Sequence, residues 1–191
     1  MKNIDIIYQI LTEPVVCIRR LPEINVYPYV ILIIILSGIS IGIGEFMVID
    51  IYTSLPYIKV LLFIYISCLI VFIGILWLIE GAVFHVFAEW LHGHGKASVL
   101  LAALGISLCP NMLIVPLALL AQICGKLNIF IYFFLKLFIF FWVVWLQIIS
   151  IREVHNISTF KAILIFSLPA IVVITILCII CMLIIFLRIC G

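Results

Sequence analysis

IEGAVFHVFAEWLHGHGKASVLLAALGISLCPN, residues 79–111, is the stretch where almost unbroken hydrocarbon gives way to groups that can do chemistry. Three of the chain's four histidines, two of its eight acidic residues and a Gly-His-Gly-Lys turn fall here. An apolar run follows, interrupted by Pro110 and Asn111. Long apolar segments flank the stretch on both sides. It therefore reads as a hinge between two membrane spans, held at one membrane face.

Composition supports this reading. Of 191 residues, 69% are hydrophobic and 9% charged, against about a quarter charged in an ordinary soluble domain, and mean hydropathy is +1.54. A membrane helix needs roughly 20 mainly apolar residues to cross a core about 30 Å thick. Five such segments occur, at residues 26–43, 60–79, 97–123, 129–151 and 162–187. The expected fold class is all-α: a polytopic membrane helical bundle with five transmembrane helices and a short interfacial N-terminal helix. Residues 1–25 form the cytoplasmic interfacial segment, 26–187 the membrane domain and 188–191 an external tail. The spans leave no room for a soluble catalytic domain. A net charge of +2 with no basic run argues against nucleic acid as a partner.

The first twenty-five residues are too charged and interrupted for a signal peptide. Ile4, Ile7, Ile10 and Leu11 recur at helical spacing, and Thr12-Glu13-Pro14 marks a fresh helix start with Thr12 as N-cap and Pro14 in the first turn. Val15, Val16 and Ile18 would then face lipid while Arg19 and Arg20 meet headgroups. In the first span, Gly38 and Gly42 stand at GxxxG spacing, which lets helix backbones approach closely in lipid. Packing within one chain is expected. Gly44 to Lys59, with Glu45, Asp50 and Pro56, reads as an external loop. Pro110 and Pro116 break the third span, and the carbonyls they free need partners; Ser107 and Asn111 are well placed to help. Lys136 lies inside the fourth span, about two turns from its outer end, and is expected to snorkel outward. Glu45 or Asp50 is its alternative partner.

The basic residues set the orientation. With the N-terminus cytoplasmic, that side collects Lys2, Arg19, Arg20, Lys96, Arg152 and Lys161, against Lys59, Lys126 and Arg188 outside. All four histidines, His85, His92, His94 and His155, then lie in or under the cytoplasmic loops, with Glu80, Glu89 and Glu153 among them. The two loops also echo one another. Glu89 and His92 precede Lys96-Ala97 and a proline-broken segment at Pro110, while Glu153 and His155 precede Lys161-Ala162 and Pro169.

On a helix continuing past Ile79, His85, Glu89 and His92 are spaced i, i+4 and i+7 and share one face. His94 or His155 could complete four-coordinate zinc. The competing reading, adopted here, is that these side chains solvate helix ends and that Gly93 and Gly95 serve the tight turn. No catalytic or cofactor-binding residue is identified. Serines lack a nucleophile elbow, and no glycine loop leads into Lys-Ser or Lys-Thr. Cys178 and Cys181, at CxxC spacing in an apolar run, read as packing. Cys124 and Cys190 share the predicted outer side, and no disulfide is expected between them.

The chain resembles the Ypt-interacting protein (Yip) domain family of polytopic membrane proteins. The resemblance runs through Leu11-Thr12-Glu13-Pro14, the glycine turn from Leu91 to Ser98, the mid-span Pro110, Trp145-Leu146, Ile151-Arg152 and Ile157-Ser158-Thr159-Phe160-Lys161-Ala162. It implies five spans and a cytoplasmic N-terminus. It further implies a membrane-organising or trafficking-type role with no defined reaction, in contact with the bilayer, with other copies or with other membrane proteins. Eukaryotic members contact small GTPases and carry a long cytoplasmic N-terminal region. The short N-terminal segment here is instead expected of a prokaryotic-type member of the plasma membrane, without GTPase binding; a eukaryotic member would belong to the ER or Golgi membrane. The alternative function is a small solute or metal-ion permease using the broken spans and the His/Glu cluster.

Overall fold

The computed structural model describes residues 10–21, 26–48, 57–172 and 175. The expected helical positions Ile4 and Ile7, the loop residues Asp50 and Pro56, Cys178, Cys181, Cys190, Arg188 and most of the fifth expected span lie outside them. The architecture is all-helical, with no strand among the described residues. Its elements are α1 (Pro14–Arg20), α2 (Tyr27–Val48), α3 (Ile58–Trp90), α4 (Ala97–Ile106), a 3-10 turn (Cys109–Leu113), α5 (Ile114–Gln122), a second 3-10 turn (Gly125–Leu127) and α6 (Asn128–His155). A shorter apolar helix, α7 (Thr159–Val172), follows. Among the described residues, four helical segments are long and apolar enough to cross a membrane: α2, α3, the α4–α5 unit and α6.

Small residues on α2 set its place in the bundle. A Cβ at Gly38 or Gly42 would run into the side chains of Ile70 and Ile66 on α3, so the GxxxG face packs within the chain. A second edge of α2 meets the broken helix. Ser37 Oγ donates to the Leu108 carbonyl at 3.2 Å, and Ser40 Oγ donates to the Met112 carbonyl at 3.0 Å while accepting from the Val115 amide at 3.1 Å. These α2 hydroxyls satisfy the backbone around the proline break. Ser107, expected in that role, bonds back to Leu104 of its own turn. Three buried clusters fill the bundle: Ile18, Val30 and Ile106 near α1; Ile114, Tyr132 and Ile139 around α5 and α6; Phe84, Leu104, Ile151 and Ile165 where α7 docks.

Four local expectations change. Glu13, not Thr12, is the N-cap of α1, because a residue before proline is forced out of helical geometry, and Pro14 opens the helix. Ile18 is buried in the bundle with Cys17 and does not face lipid. Glu45 is part of α2, which continues to Val48, rather than of a loop. Its carboxylate pairs with Lys136 Nζ and accepts from the Tyr65 hydroxyl. Lys136 therefore takes Glu45, the alternative partner, near the end of α2. The pair joins α2, α3 and α6 within the membrane-spanning part of the bundle.

A charge left without its partner away from water is costly, whereas removing both charges is not. Glu45→Gln and Lys136→Met should each lower stability by about 3 kcal/mol, and the double variant should recover most of that loss. Thermal unfolding in detergent measures the cycle. Additive losses would show that the two side chains act independently.

Candidate functional site

The polar residues singled out in the sequence converge where α1, the α3–α4 turn, the end of α6 and the start of α7 meet. α3 stops at Trp90, and His92 takes a left-handed conformation (φ 64°). The Gly93 amide returns to the Ala88 carbonyl at 2.8 Å and the His92 amide to the Glu89 carbonyl at 3.0 Å, closing the helix end. α6 stops in the same way. Asn156 is left-handed (φ 51°), and the Ile157 amide returns to the Arg152 carbonyl at 3.2 Å. His and Asn tolerate this conformation better than most non-glycine residues.

The two helix ends also bond to one another. The His94 amide of the first turn donates to the His155 carbonyl at 3.3 Å, and Lys161 Nζ after the second turn donates to the Leu91 carbonyl at 3.1 Å. Each turn thus supplies a donor to the other helix's end, where carbonyls lack partners and a cation is favoured. Gly93 and Gly95 make the approach possible. A Cβ at Gly93 would lie 2.9 Å from His155 Cβ, and one at Gly95 would lie 2.7 Å from the Val154 carbonyl oxygen. The glycines provide room for α6, while His92 makes the left-handed turn.

Between the helices, His85 Nδ1 stands 3.2 Å from His155 Nε2, and His85 Nε2 stands 3.2 Å from Glu89 Oε1. His155 is 1% exposed. His92 and His94 are exposed. The structure thus brings together His85, Glu89 and His155 of the proposed ligand set and leaves the His92 and His94 side chains outside. The i+7 relation fails because the helix ends before His92. Among the described residues, no group of three or more His, Cys, Asp or Glu is placed to hold a metal ion.

Sequence reasoning named Glu153 and Glu80 at this face but not their partners. Glu153, its side chain 7% exposed, takes Arg19 Nε at 2.7 Å and Arg152 Nη2 at 2.7 Å, clamping α1 to the end of α6. Gln147 Nε2 donates to Glu80 at 3.1 Å. Its signal was available: each is a single polar residue in an apolar run. Burial, opposed by the Arg20 charge, pushes the Cys17 thiol on α1 up to about 11.

These features define a polytopic all-helical membrane protein whose loops knit together at one end. The family model for the Yip1 domain matches residues 8–182, and the chain belongs to that family. No curated protein and no solved structure matches it.

Gly95→Ala should lower the melting temperature, because a backbone oxygen blocks the new methyl. Gly74→Ala should be neutral or stabilising, since nothing among the described residues lies within 4 Å of its Cβ position and alanine gains about 0.8–1 kcal/mol of helix propensity. Equal effects would refute the packing role. In a variant keeping Cys17 alone, maleimide should label slowly at neutral pH, because the thiolate is the reactive form. Adding Arg19→Ala should speed labelling several-fold by releasing α1; an unchanged rate would mean the Glu153 clamp does not hold it.

Proposed function

We propose that the protein is a non-enzymatic membrane-organising component that acts through the bilayer and through neighbouring membrane proteins, with its N-terminus and the α3–α4 and α6–α7 turns cytoplasmic. The observation that carries this reading is the use made of polar side chains within the spans. Among the described residues, Ser37, Ser40, Glu45, Lys136, Glu80 and Gln147 bond helix to helix. Trp77 Nε1 does likewise, donating to the Leu101 carbonyl at 2.8 Å. A carrier needs such groups turned toward a passage, and the alternative of a permease finds no support in this arrangement. A groove of about 270 Å³ on α3 is lined by Ala82, Val83, Val86, Phe87 and Trp90, all apolar.

α1 is pinned at one end of the bundle, while α3 and α6 turn large apolar side chains such as Phe63, Phe72, Phe134 and Phe141 outward. A bundle broadened at one membrane face by an interfacial helix favours curvature, and its apolar flanks suit lipid contact. The family is generally one of non-enzymatic membrane proteins, in keeping with this role.

Reconstitution into vesicles of defined size tests the proposal. Rising protein-to-lipid ratio should shift vesicle diameter by cryo-microscopy while a loaded solute is retained, and Arg19→Ala should weaken the shift. Unchanged vesicle shape, or protein-dependent loss of the solute, would overturn it.

A further inference from the structure

Glu45, Lys136, Tyr65 and Tyr132 meet where α2 ends and α6 begins. Glu45 lies three residues before the end of α2 at Val48, and Lys136 lies eight residues after the start of α6 at Asn128. The two therefore stand about 5 and 12 Å from those helix ends, the depth at which headgroups meet acyl chains. The pair is open to the bilayer, its Glu45 side chain 24% and its Lys136 side chain 38% exposed. Phe133 and Phe140 are exposed one turn to either side of Lys136 on the same face of α6, and Leu61 is exposed one turn from Tyr65 on α3.

The bonding within this cluster is incomplete. Glu45 accepts from Lys136 Nζ and from the Tyr65 hydroxyl. The Tyr132 hydroxyl lies near Glu45 and Tyr65, 3.3 Å from where a Cβ on Gly44 would be. Tyr132 is 8% exposed, and its hydroxyl makes no hydrogen bond among the described residues. A buried hydroxyl without a partner is both uncommon and costly. A carboxylate can accept more bonds than the two Glu45 receives, and an ammonium can donate more than the one Lys136 gives.

We propose that this cluster is a headgroup site for a zwitterionic phospholipid with a primary amine, of the phosphatidylethanolamine class. The lipid's ammonium goes to Glu45 and its phosphate to Lys136, each by charge-assisted hydrogen bonds. As Lys136 turns to the phosphate, the Tyr132 hydroxyl takes its place on Glu45. The unpartnered donor thereby gains its role. Glu45 and Lys136 together are neutral, so a headgroup carrying both charges fits, whereas one with surplus negative charge meets the Glu45 carboxylate. A choline headgroup has no N–H to give that carboxylate. Phe133, Phe140 and Leu61 offer apolar contact to acyl chains, which selects the lipid over a soluble phosphoethanolamine. The site deepens the membrane-organising reading by naming a lipid. Its test reads bound lipid and not vesicle shape, so either can fail without the other.

The test is native mass spectrometry of the delipidated full chain in detergent, incubated with equal amounts of dioleoyl phosphatidylethanolamine, phosphatidylcholine or phosphatidylglycerol. One phosphatidylethanolamine per chain, retained several-fold more than either other lipid, is expected. Tyr132→Phe should lose most of that preference without lowering the melting temperature of the lipid-free protein. The Glu45→Gln, Lys136→Met double variant, which leaves no charge unpaired, should lose the preference entirely. Soluble phosphoethanolamine should displace no lipid. Equal retention of the three lipids overturns the proposal, as does an undiminished preference in either variant. So does displacement by phosphoethanolamine, which would make the ligand a soluble zwitterion. A lower melting temperature for lipid-free Tyr132→Phe would show its hydroxyl already bonded, to water for instance, and would remove the donor on which the proposal depends.

Discussion

In hydrocarbon every backbone amide and carbonyl must find a partner inside the protein, and this bundle meets that demand at its weakest point with two serines. The third span cannot be one continuous helix, because Pro110 and Pro116 remove donors and push the chain through a 3-10 turn. Ser40 bridges the break by giving one hydrogen bond and taking another, and Ser37 closes a third. Those hydroxyls reach across because α2 approaches closely, with Gly44 against Ile114 and Gly38 and Gly42 against α3. Small residues on two edges of one helix thus fix the positions of its neighbours.

A second constraint works at the end where the turns gather. The C-terminal carbonyls of α3 and α6 have no partners within their helices. Each helix turns back on itself through a left-handed residue and takes a donor from the other's turn. Glu153 adds α1 through Arg19. The two turns resemble each other in this capping, although the residues that echo in the sequence are placed differently: Lys161 caps Leu91 while Lys96 is exposed. The likeness rests on the shared problem of ending a long apolar helix beside another.

Much of the architecture was legible because hydropathy in lipid is a strong signal. Four long helices follow from apolar runs, and the GxxxG spacing correctly marked a close approach. What could not be read depends on partners far apart in sequence. Glu45 reads as a loop residue until Lys136 and Tyr65 are seen beside it. Gly93 and Gly95 read as turn formers until His155 is found filling the space they leave. His85 and Glu89 were legible as a helical pair, but spacing along α3 could not reveal that their third companion comes from α6, nor that the helix would end before His92. Gln147 was visible as an isolated amide, and only its position opposite Glu80 gives it a role.

The length of α3 has a further consequence. Its 33 residues extend about 50 Å, against a hydrocarbon core of about 30 Å. Containing all of it would require a tilt beyond the usual range of up to about 40°. The uniformly apolar part ends at Ile79, and Glu80, His85 and Glu89 follow on the remaining turns. Bilayer thickness therefore governs how far these groups stand clear of the acyl chains. A thicker membrane would draw them toward the hydrocarbon and a thinner one would release them, so the helix converts lipid composition into the hydration of its own charged end.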